Sequence, residues 1–388
     1  MNGLRKRIEA LVSGAREGDH SSLDRVLLAG SFLYGTGVKL RNIGYDYGVL
    51  KVRKLPCRVV SIGNLVAGGT GKTPMTIYLA TLLKQMGHRP AVLSRGYGGA
   101  AEKKGIVVSD GFDILCDSDV AGDEPFMMAS GIKGIPVIVG RDRYASGMRA
   151  IEEFDPDILI LDDGFQHRRL HRDLDLVLMD AGKMFGNGYL LPRGALREPP
   201  GMLKRSDAIV LTRCAADTSA DNSGNRRIAV SGNPGIHKPV FRTRHLTFIA
   251  GVYGGTTPFP REIRSWKPAK VAFSLLEKSS VFVFSGIAGN REFLKAIGNQ
   301  TRRVVGSMAF SDHHPYTDDE LEQIALKAAI AGATYIVTTQ KDYVRVAGRI
   351  PGEMPIVVVD VKIAFNNQDE YAFIRFLRRK LRLGFGNF

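Results

Sequence analysis

Cysteine is scarce in this chain. Three occur, Cys57, Cys116 and Cys214, far apart and without metal-type spacing. That excludes a disulfide framework and a cysteine-based zinc site, and it suits a reducing compartment. Long apolar runs are missing as well, since no stretch reaches the ~20 residues of a membrane span. Acidic residues are in deficit: 54 Lys and Arg face 39 Asp and Glu, a formal charge of +15. Such a balance favours polyanions, whether nucleic acid, an anionic membrane or a phosphorylated substrate. Aromatic residues are not interleaved with the basic ones, as a base-stacking groove needs, so nucleic acid is not expected as a partner. There is no internal repeat and no long low-complexity tract.

What is present is an alternation of short apolar strands and helical patterns over 388 residues, enough for two domains. Arg58–Ile62, Ala91–Ser94, Pro136–Val139, Ile158–Leu161, Leu174–Met179 and Ala208–Leu211 read as strands, with helices between them. The pattern predicts an α/β, phosphate-loop NTPase-like fold, with a mostly parallel sheet covered by helices on both faces. A second, smaller α/β/α domain follows, with strands at Val281–Phe284, Tyr335–Thr338 and Ile356–Val359. The boundary falls in the small polar residues 215–227. The expected division is 1–50, an N-terminal helical segment; 51–225, a nucleotide-binding catalytic domain; and 226–388, linker and second domain. Residues 106–121 read as a hairpin or loop, and 240–272 as short β-type runs. A basic amphipathic helix ends the chain, either solvated or in contact with lipid headgroups.

Residues 57–76 carry the first chemical signal. The strand feeds Ala67-Gly68-Gly69-Thr70-Gly71-Lys72-Thr73, and a helical pattern follows. Glycines let successive N–H groups point at one anion, and the helix start adds its positive end. Lys72 is placed to reach terminal phosphates and the Thr73 hydroxyl to ligate Mg²⁺. The usual glycine five residues before Gly71 is Val66, so this is the variant loop with two glycines before x-Gly-Lys-Thr.

The second signal is the apolar strand ending in Asp162-Asp163, followed by Gly164-Phe165-Gln166-His167. Two adjacent carboxylates oppose each other unless a cation sits with them, and a phosphate-loop enzyme holds Mg²⁺ at such a strand end. Arg141-Asp142-Arg143 and Leu191-Pro-Arg-Gly-Ala-Leu-Arg197-Glu198-Pro199 supply arginines suited to clamping phosphates. Asp312-His313-His314 is either a capping loop or an oriented imidazole, and Asp123 either a helix cap or a base for the acceptor. Val26–Val38, thirteen uncharged residues, has Arg5, Lys6, Arg7, Lys39 and Arg41 around it. It reads as a buried helix or as an interfacial anchor.

Together these blocks resemble the tetraacyldisaccharide 4'-kinase (lipid A 4'-kinase) family of Gram-negative bacteria, over roughly residues 20–345. Val59 to Pro74, Ser94-Arg-Gly-Tyr-Gly98, Gly122-Asp-Glu-Pro125, Asp162 to His167, Leu191 to Pro199 and Asp312-His-His314 occur in order. The resemblance implies ATP- and Mg²⁺-dependent phosphorylation of the 4'-hydroxyl of a tetraacylated glucosamine disaccharide 1-phosphate, giving lipid IVA. It implies a monotopic enzyme on an anionic membrane surface, at the cytoplasmic face of the inner membrane, and a monomer is expected. By motif, Gly68, Gly69, Thr70, Gly71, Lys72 and Thr73 hold the nucleotide, and Thr73, Asp162 and Asp163 the metal. Asp123 is the base, supported by His313, with Arg143 and Arg197 acting on the phosphates. Gln166, His167 and Glu198 line the substrate side of the cleft. The competing reading is a phosphate-loop ATPase switch or partitioning protein, in which Asp123 and Arg197 have no acceptor to serve.

Overall fold

A computed structural model describes residues 22–214, 238–254 and 274–383. Arg5, Lys6 and Arg7, and the polar stretch 215–227, lie outside the described residues. The strands in chain order are β1 Arg58–Asn64, β2 Pro90–Ser94, β3 Ile106–Ser109, β4 Val137–Val139, β5 Ile158–Asp162 and β6 Leu174–Asp180. They continue as β7 Ala208–Thr212, β8 Val240–Tyr253, β9 Ser280–Ser285, β10 Arg303–Ala309, β11 Tyr335–Thr339 and β12 Ile356–Phe365. All twelve join one sheet in the order β10-β9-β11-β12-β8-β7-β6-β1-β5-β2-β4-β3. Only the β3–β4 and β8–β12 pairs are antiparallel. The sheet is therefore mostly parallel, as the apolar runs predict.

The composition of the central strands explains their place. β2, β4, β5 and β6 are buried at every position, as is β1 after Arg58, because helices cover both faces. On one face lies helix Lys72–Gln85, which buries Met75, Thr76, Leu79, Ala80, Leu82 and Leu83, a helical stripe. Helix Asp123–Gly131 packs beside it, burying Phe126, Met128 and Ala129. On the other face lies helix Arg143–Phe154, whose Asp142 cap accepts from the N–H groups of Tyr144 and Ala145.

β8 joins the two halves. Residues Val240–Arg242 pair parallel with β7, and Thr243–Tyr253 pair antiparallel with β12. β8 thus runs past the C-terminal ends of the first half's strands. The strands β9, β10, β11 and β12 run back toward them. Both halves in this way present the C-terminal ends of parallel strands to one cleft. This geometry was not legible in 240–272, where the sequence shows short β-type runs; its described part, up to residue 254, holds the 14-residue strand Val240–Tyr253. Residues 106–121 resolve into β3, on the sheet edge, and a short helix Ser118–Ala121. β10 is an edge strand interrupted by Gly306, which hides its pattern.

The C-terminal helix Asn367–Leu381 follows the second half in sequence but packs on the first. Its Phe373, Phe376 and Leu377 join the core under helix Lys72–Gln85. Phe373 stacks on Phe365 at 4.9 Å and meets Phe241 edge-on at 5.1 Å, while Tyr78 donates to Glu370 at 2.7 Å. Its apolar stripe is thus buried, leaving Arg375, Arg379 and Lys380 outside.

Candidate active site

The phosphate loop spans the gap between β1 and helix Lys72–Gln85, and its shape is held from within. Asn64, the last residue of β1, donates from Nδ2 to the Val66 carbonyl at 2.6 Å and to Thr70 Oγ1 at 2.9 Å. Thr212 Oγ1, at the end of β7, donates to the Thr70 carbonyl at 3.0 Å. Gly71 caps the helix at φ +87°, and a Cβ there would lie 2.6 Å from His245 Nε2. Both the left-handed backbone and the lack of room require glycine. Gly71→Ala is therefore expected to weaken ATP binding by about tenfold or more while the fold survives. Calorimetric titration with ATP and a circular-dichroism melt check both halves of that statement.

The carboxylate pair sits next to the loop. Asp162 closes β5, which lies beside β1 in register. It is buried and accepts from Thr76 Oγ1 at 3.1 Å and Ser94 Oγ at 3.4 Å. Burial, with Glu124 and Asp163 nearby, pushes its carboxyl up to about 7, against the pull of Lys72 and Thr76. Asp163 turns the chain at φ +51°. Burial alone would raise it too, but Lys72 and Arg197 outweigh that and hold it below its ordinary value. Arg197 Nη1 lies 2.9 and 2.8 Å from its two oxygens, and Lys72 Nζ 3.8 Å from the nearer one.

Arg197 reaches Asp163 because its segment is laced to the phosphate loop. Ala67 N donates to the Ala195 carbonyl and Arg197 N to the Leu65 carbonyl, both at 2.7 Å. The same segment is gripped from outside by the N-terminal helix Ser22–Asp46. Ser31 donates to the Leu190 carbonyl at 2.8 Å, Tyr34 to the Arg197 carbonyl at 3.0 Å, and Arg193 pairs with Asp24 at 2.9 Å.

The opposite wall is built by Asp123 and His313. Asp123 opens its helix after Gly122, and the adjacent Glu124 is close enough for its charge to act on Asp162. His313, in the loop after β10, sits at φ +58° and places Nδ1 3.1 Å from Asp123 Oδ2. Arg345 also binds Asp123, from Nε at 2.9 Å and from Nη2. Burial opposes ionisation of Asp123, yet His313 and Arg345 overcome it and draw the carboxyl down to about 2.

The remaining expected residues take different places. Arg143 is 3% exposed and donates to the Gly140 carbonyl at 2.6 Å, behind the carboxylates, where burial lowers it to about 10. Arg141 is exposed. Gln166 Nε2 bonds the Asn64 carbonyl at 2.8 Å. His167 is held down to about 4, by burial first and then by Arg143 and Arg172. His314 is a packing residue, stacked on Phe310 at 4.7 Å and bonded to Glu320 at 2.9 Å. Glu198 departs from the expectation. It is fully buried, with Oε1 on Arg41 at 2.6 Å and Oε2 on Arg205 at 2.7 Å. Its carboxylate ties the N-terminal helix to the Arg197 segment and, with no exposed surface, lies out of a substrate's reach.

Sequence reasoning passed over helix Gln340–Val346, which carries Lys341 and Arg345. The available signal was Thr339, a strand-end residue that caps the helix by accepting from Asp342 N at 3.1 Å. A cavity of about 850 Å³ lined by Lys54, Cys57, Arg58, Arg89 and Asp157 lies at the N-terminal ends of β1 and β5 and contains none of the cleft residues.

A strand–glycine loop–helix unit, a carboxylate pair on the neighbouring strand and an Asp–His pair that joins the two halves fit the class of phosphate-loop kinases. The comparisons with known proteins narrow this. The chain belongs to the tetraacyldisaccharide-1-P 4'-kinase family, whose model matches residues 23–382. It is 38% identical to the tetraacyldisaccharide 4'-kinase of Syntrophus aciditrophicus, over 91% of this chain and 92% of that one. It is 41% identical to that of Syntrophobacter fumaroxidans, over 89% and 88%. Among solved structures it is similar to LpxK from Aquifex aeolicus in complex with ATP, with a TM-score of 0.69 and 31% identity over 92% of this chain and 99% of that one. These findings favour the kinase over the ATPase switch.

Proposed function

We propose that this protein transfers the γ-phosphoryl group of ATP to the 4'-hydroxyl of a tetraacyldisaccharide 1-phosphate, giving lipid IVA. The observation that carries the reading is the Asp123–His313 pair facing the phosphate-loop side of one cleft. A hydrolysing switch has no use for a second, half-buried carboxylate on the acceptor side. Gly68 to Gly71 cradle the phosphates with backbone N–H groups, and Lys72 neutralises the terminal one. Arg197 and, from behind, Arg143 balance charge that builds on the transferring group. Asp123 aligns the attacking hydroxyl and receives its proton. Gln166 and His167 line the sugar side.

The donor set fits Mg²⁺. Among the described residues Asp162 accepts from two hydroxyls and forms no ion pair, so its ionised form calls for a cation. Asp162, Asp163 and the Thr73 hydroxyl are oxygen ligands of the kind Mg²⁺ takes alongside phosphates and water. When bound, the ion supplies charge neutralisation on the β- and γ-phosphates.

The direct test incubates the protein with ATP, Mg²⁺ and the disaccharide 1-phosphate and follows phosphate onto the lipid. Brisk ATP hydrolysis with no lipid product, and no dependence on lipid, rejects the reading.

The membrane side of the proposal rests on the N-terminal helix. Among the described residues no helix is long and apolar enough to cross a membrane. Helix Ser22–Asp46 is instead inverted. Its buried positions are Asp24, Ser31, Val38 and Asn42. Val26, Leu28, Phe32, Leu33 and Leu40 face outward, with Phe32 75% and Leu33 72% exposed. Tyr47 and Val49 extend the patch, and Arg25, Lys39 and Lys51 are exposed around it. An apolar face ringed by cations suits shallow insertion into an anionic leaflet, the cytoplasmic face of the inner membrane in this reading, by a monomer. Replacing Phe32 and Leu33 together with Ser is expected to cut binding to anionic vesicles roughly ten- to a hundredfold, from the apolar burial lost. Flotation assays report it, and an unchanged melting temperature shows that the fold is intact.

A further inference from the structure

We propose that Arg345 and Lys341 are positioning residues for the acceptor-side base: Arg345 pins one oxygen of Asp123 so that the other is aimed at the substrate hydroxyl, and Lys341 sets the tautomer of His313. The inference deepens the kinase reading and rests on it.

Three contacts made by Asp123 fall on the same atom. His313 Nδ1, Arg345 Nε and Arg345 Nη2 all meet Oδ2, and none of them uses Oδ1. A carboxylate held by one oxygen presents the other in a fixed direction. An acceptor hydroxyl in line with a γ-phosphate needs that kind of fixed partner, because phosphoryl transfer depends more on alignment than on base strength. Burial and charge agree with an aiming role. Asp123, drawn down to about 2 against its own burial, stays ionised, an anionic partner for the hydroxyl and not a strong base.

Arg345 is itself held. Its Nη1 lies 3.6 Å from Asp342 Oδ1, and Asp342 is fully buried. Asp342 accepts from Thr339 Oγ1 at 2.6 Å and from the Tyr316 hydroxyl at 2.9 Å. A buried carboxylate in the second half of the chain is thus the ionic partner of the guanidinium that binds a carboxylate in the first half.

Lys341 stands one turn before Arg345, so the two cations share a helix face. Its Nζ donates to Asp312 Oδ1 at 2.7 Å and lies 3.0 Å from His313 Nε2. An ammonium only donates, so Nε2 is the acceptor there and the ring hydrogen belongs on Nδ1, facing Asp123. The 3.1 Å approach of Arg345 Nη2 to the same Nδ1 is then a contact between two donors that share Oδ2, not a hydrogen bond between them. One short helix in this way sets both members of the pair, and the base is assembled only when the two halves of the sheet meet.

The test measures lipid phosphorylation by the full-length wild type, Arg345→Met, Arg345→Lys and Lys341→Met, with KM for ATP, melting temperature and ¹⁵N-histidine spectra. Arg345→Met should lower kcat about ten- to a hundredfold with KM for ATP within twofold. Arg345→Lys should recover part of that loss. Wild-type spectra should show His313 protonated on Nδ1, and Lys341→Met should mix the tautomers. If Arg345→Met keeps kcat within twofold of wild type, the proposal is overturned. It is equally overturned if the loss follows the melting temperature and KM for ATP, if Arg345→Lys recovers nothing, or if His313 carries its hydrogen on Nε2. A wild type that transfers no phosphate to lipid rejects the kinase reading instead, so the two failures are distinct.

Discussion

Asp123→Asn is expected to lower the rate of lipid phosphorylation by about a hundred- to ten-thousandfold while ATP binds as before. The substitution keeps the size of the side chain and removes its charge. An amide still accepts from Arg345 through its oxygen, so the cleft does not lose its shape. What is lost is an anionic acceptor for the hydroxyl proton. The residues proposed to hold the nucleotide, Gly68 to Thr73, follow β1 and are supported by Asn64, Thr212 and the Ala195 segment, whose hydrogen bonds among the described residues do not involve Asp123. Affinity for ATP should therefore move by less than about twofold, because no contact to the phosphate loop changes. Steady-state transfer assays at saturating ATP and titration calorimetry separate the two quantities. Loss of ATP affinity in parallel with turnover would make Asp123 a nucleotide or structural residue. A rate within threefold of wild type would remove it from the chemistry altogether.

Much of this cleft was legible in the sequence, for a physical reason. Phosphate loops and strand-end carboxylates are local devices. A turn that aims N–H groups needs glycines within a few residues of each other, and a metal-binding acid needs an apolar strand directly before it. Both requirements are written along the chain, as in Gly68-Gly69-Thr70-Gly71 and in Ile158 to Asp163. The apolar runs of β1, β2, β5 and β6 were legible for the same reason.

What could not be read is whatever depends on two distant segments meeting. β8 looks like several short runs because it leaves one half of the sheet and enters the other, and its neighbours change from β7 to β12 along its length. Arg345 looks like one surface arginine among many until β8 and β12 turn the second half back onto Asp123. The N-terminal segment was ambiguous between buried helix and anchor, because the sequence does not show which side of the helix meets the protein. Its polar residues Asp24, Ser31 and Asn42 face the protein, and its apolar ones face outward. Glu198 was the instructive departure. Its place in Leu191 to Pro199, beside Arg197, suggests the cleft, yet the chain bends at these two residues and their side chains part. Arg197 faces Asp163, and Glu198 faces the interior.

That interior position makes Glu198→Ala the other large effect, one of stability first and rate second. Arg41 and Arg205 each give one hydrogen bond to Glu198, at 2.6 and 2.7 Å, and the carboxylate is fully buried. Removing it leaves two cations facing a cavity. Arg205 is the worse placed, since burial already lowers its affinity for a proton, with Glu198 the strongest opposing influence. Its remaining contacts are the Phe165 ring at 4.5 Å and weaker bonds to Asn42 and the Phe165 carbonyl. Breaking a buried pair by deleting one partner costs about 3–5 kcal/mol, which for a chain of this size lowers the melting temperature by roughly 4–6 °C. The same deletion frees Arg41, and with it one of the ties between helix Ser22–Asp46 and the segment that positions Arg197. Turnover should fall further than KM for ATP rises, because in the proposed reading Arg197 serves the transferring phosphate while Lys72 and the loop amides serve the nucleotide. Glu198→Gln, which keeps one acceptor oxygen, should lie between wild type and Glu198→Ala in both melting temperature and rate. A substrate-contacting glutamate gives the reverse pattern: an unchanged melt, a raised KM for the lipid and an unaffected KM for ATP. Differential scanning calorimetry and lipid-dependent kinetics on the two variants decide between a strut under the catalytic arginine and a wall of the cleft.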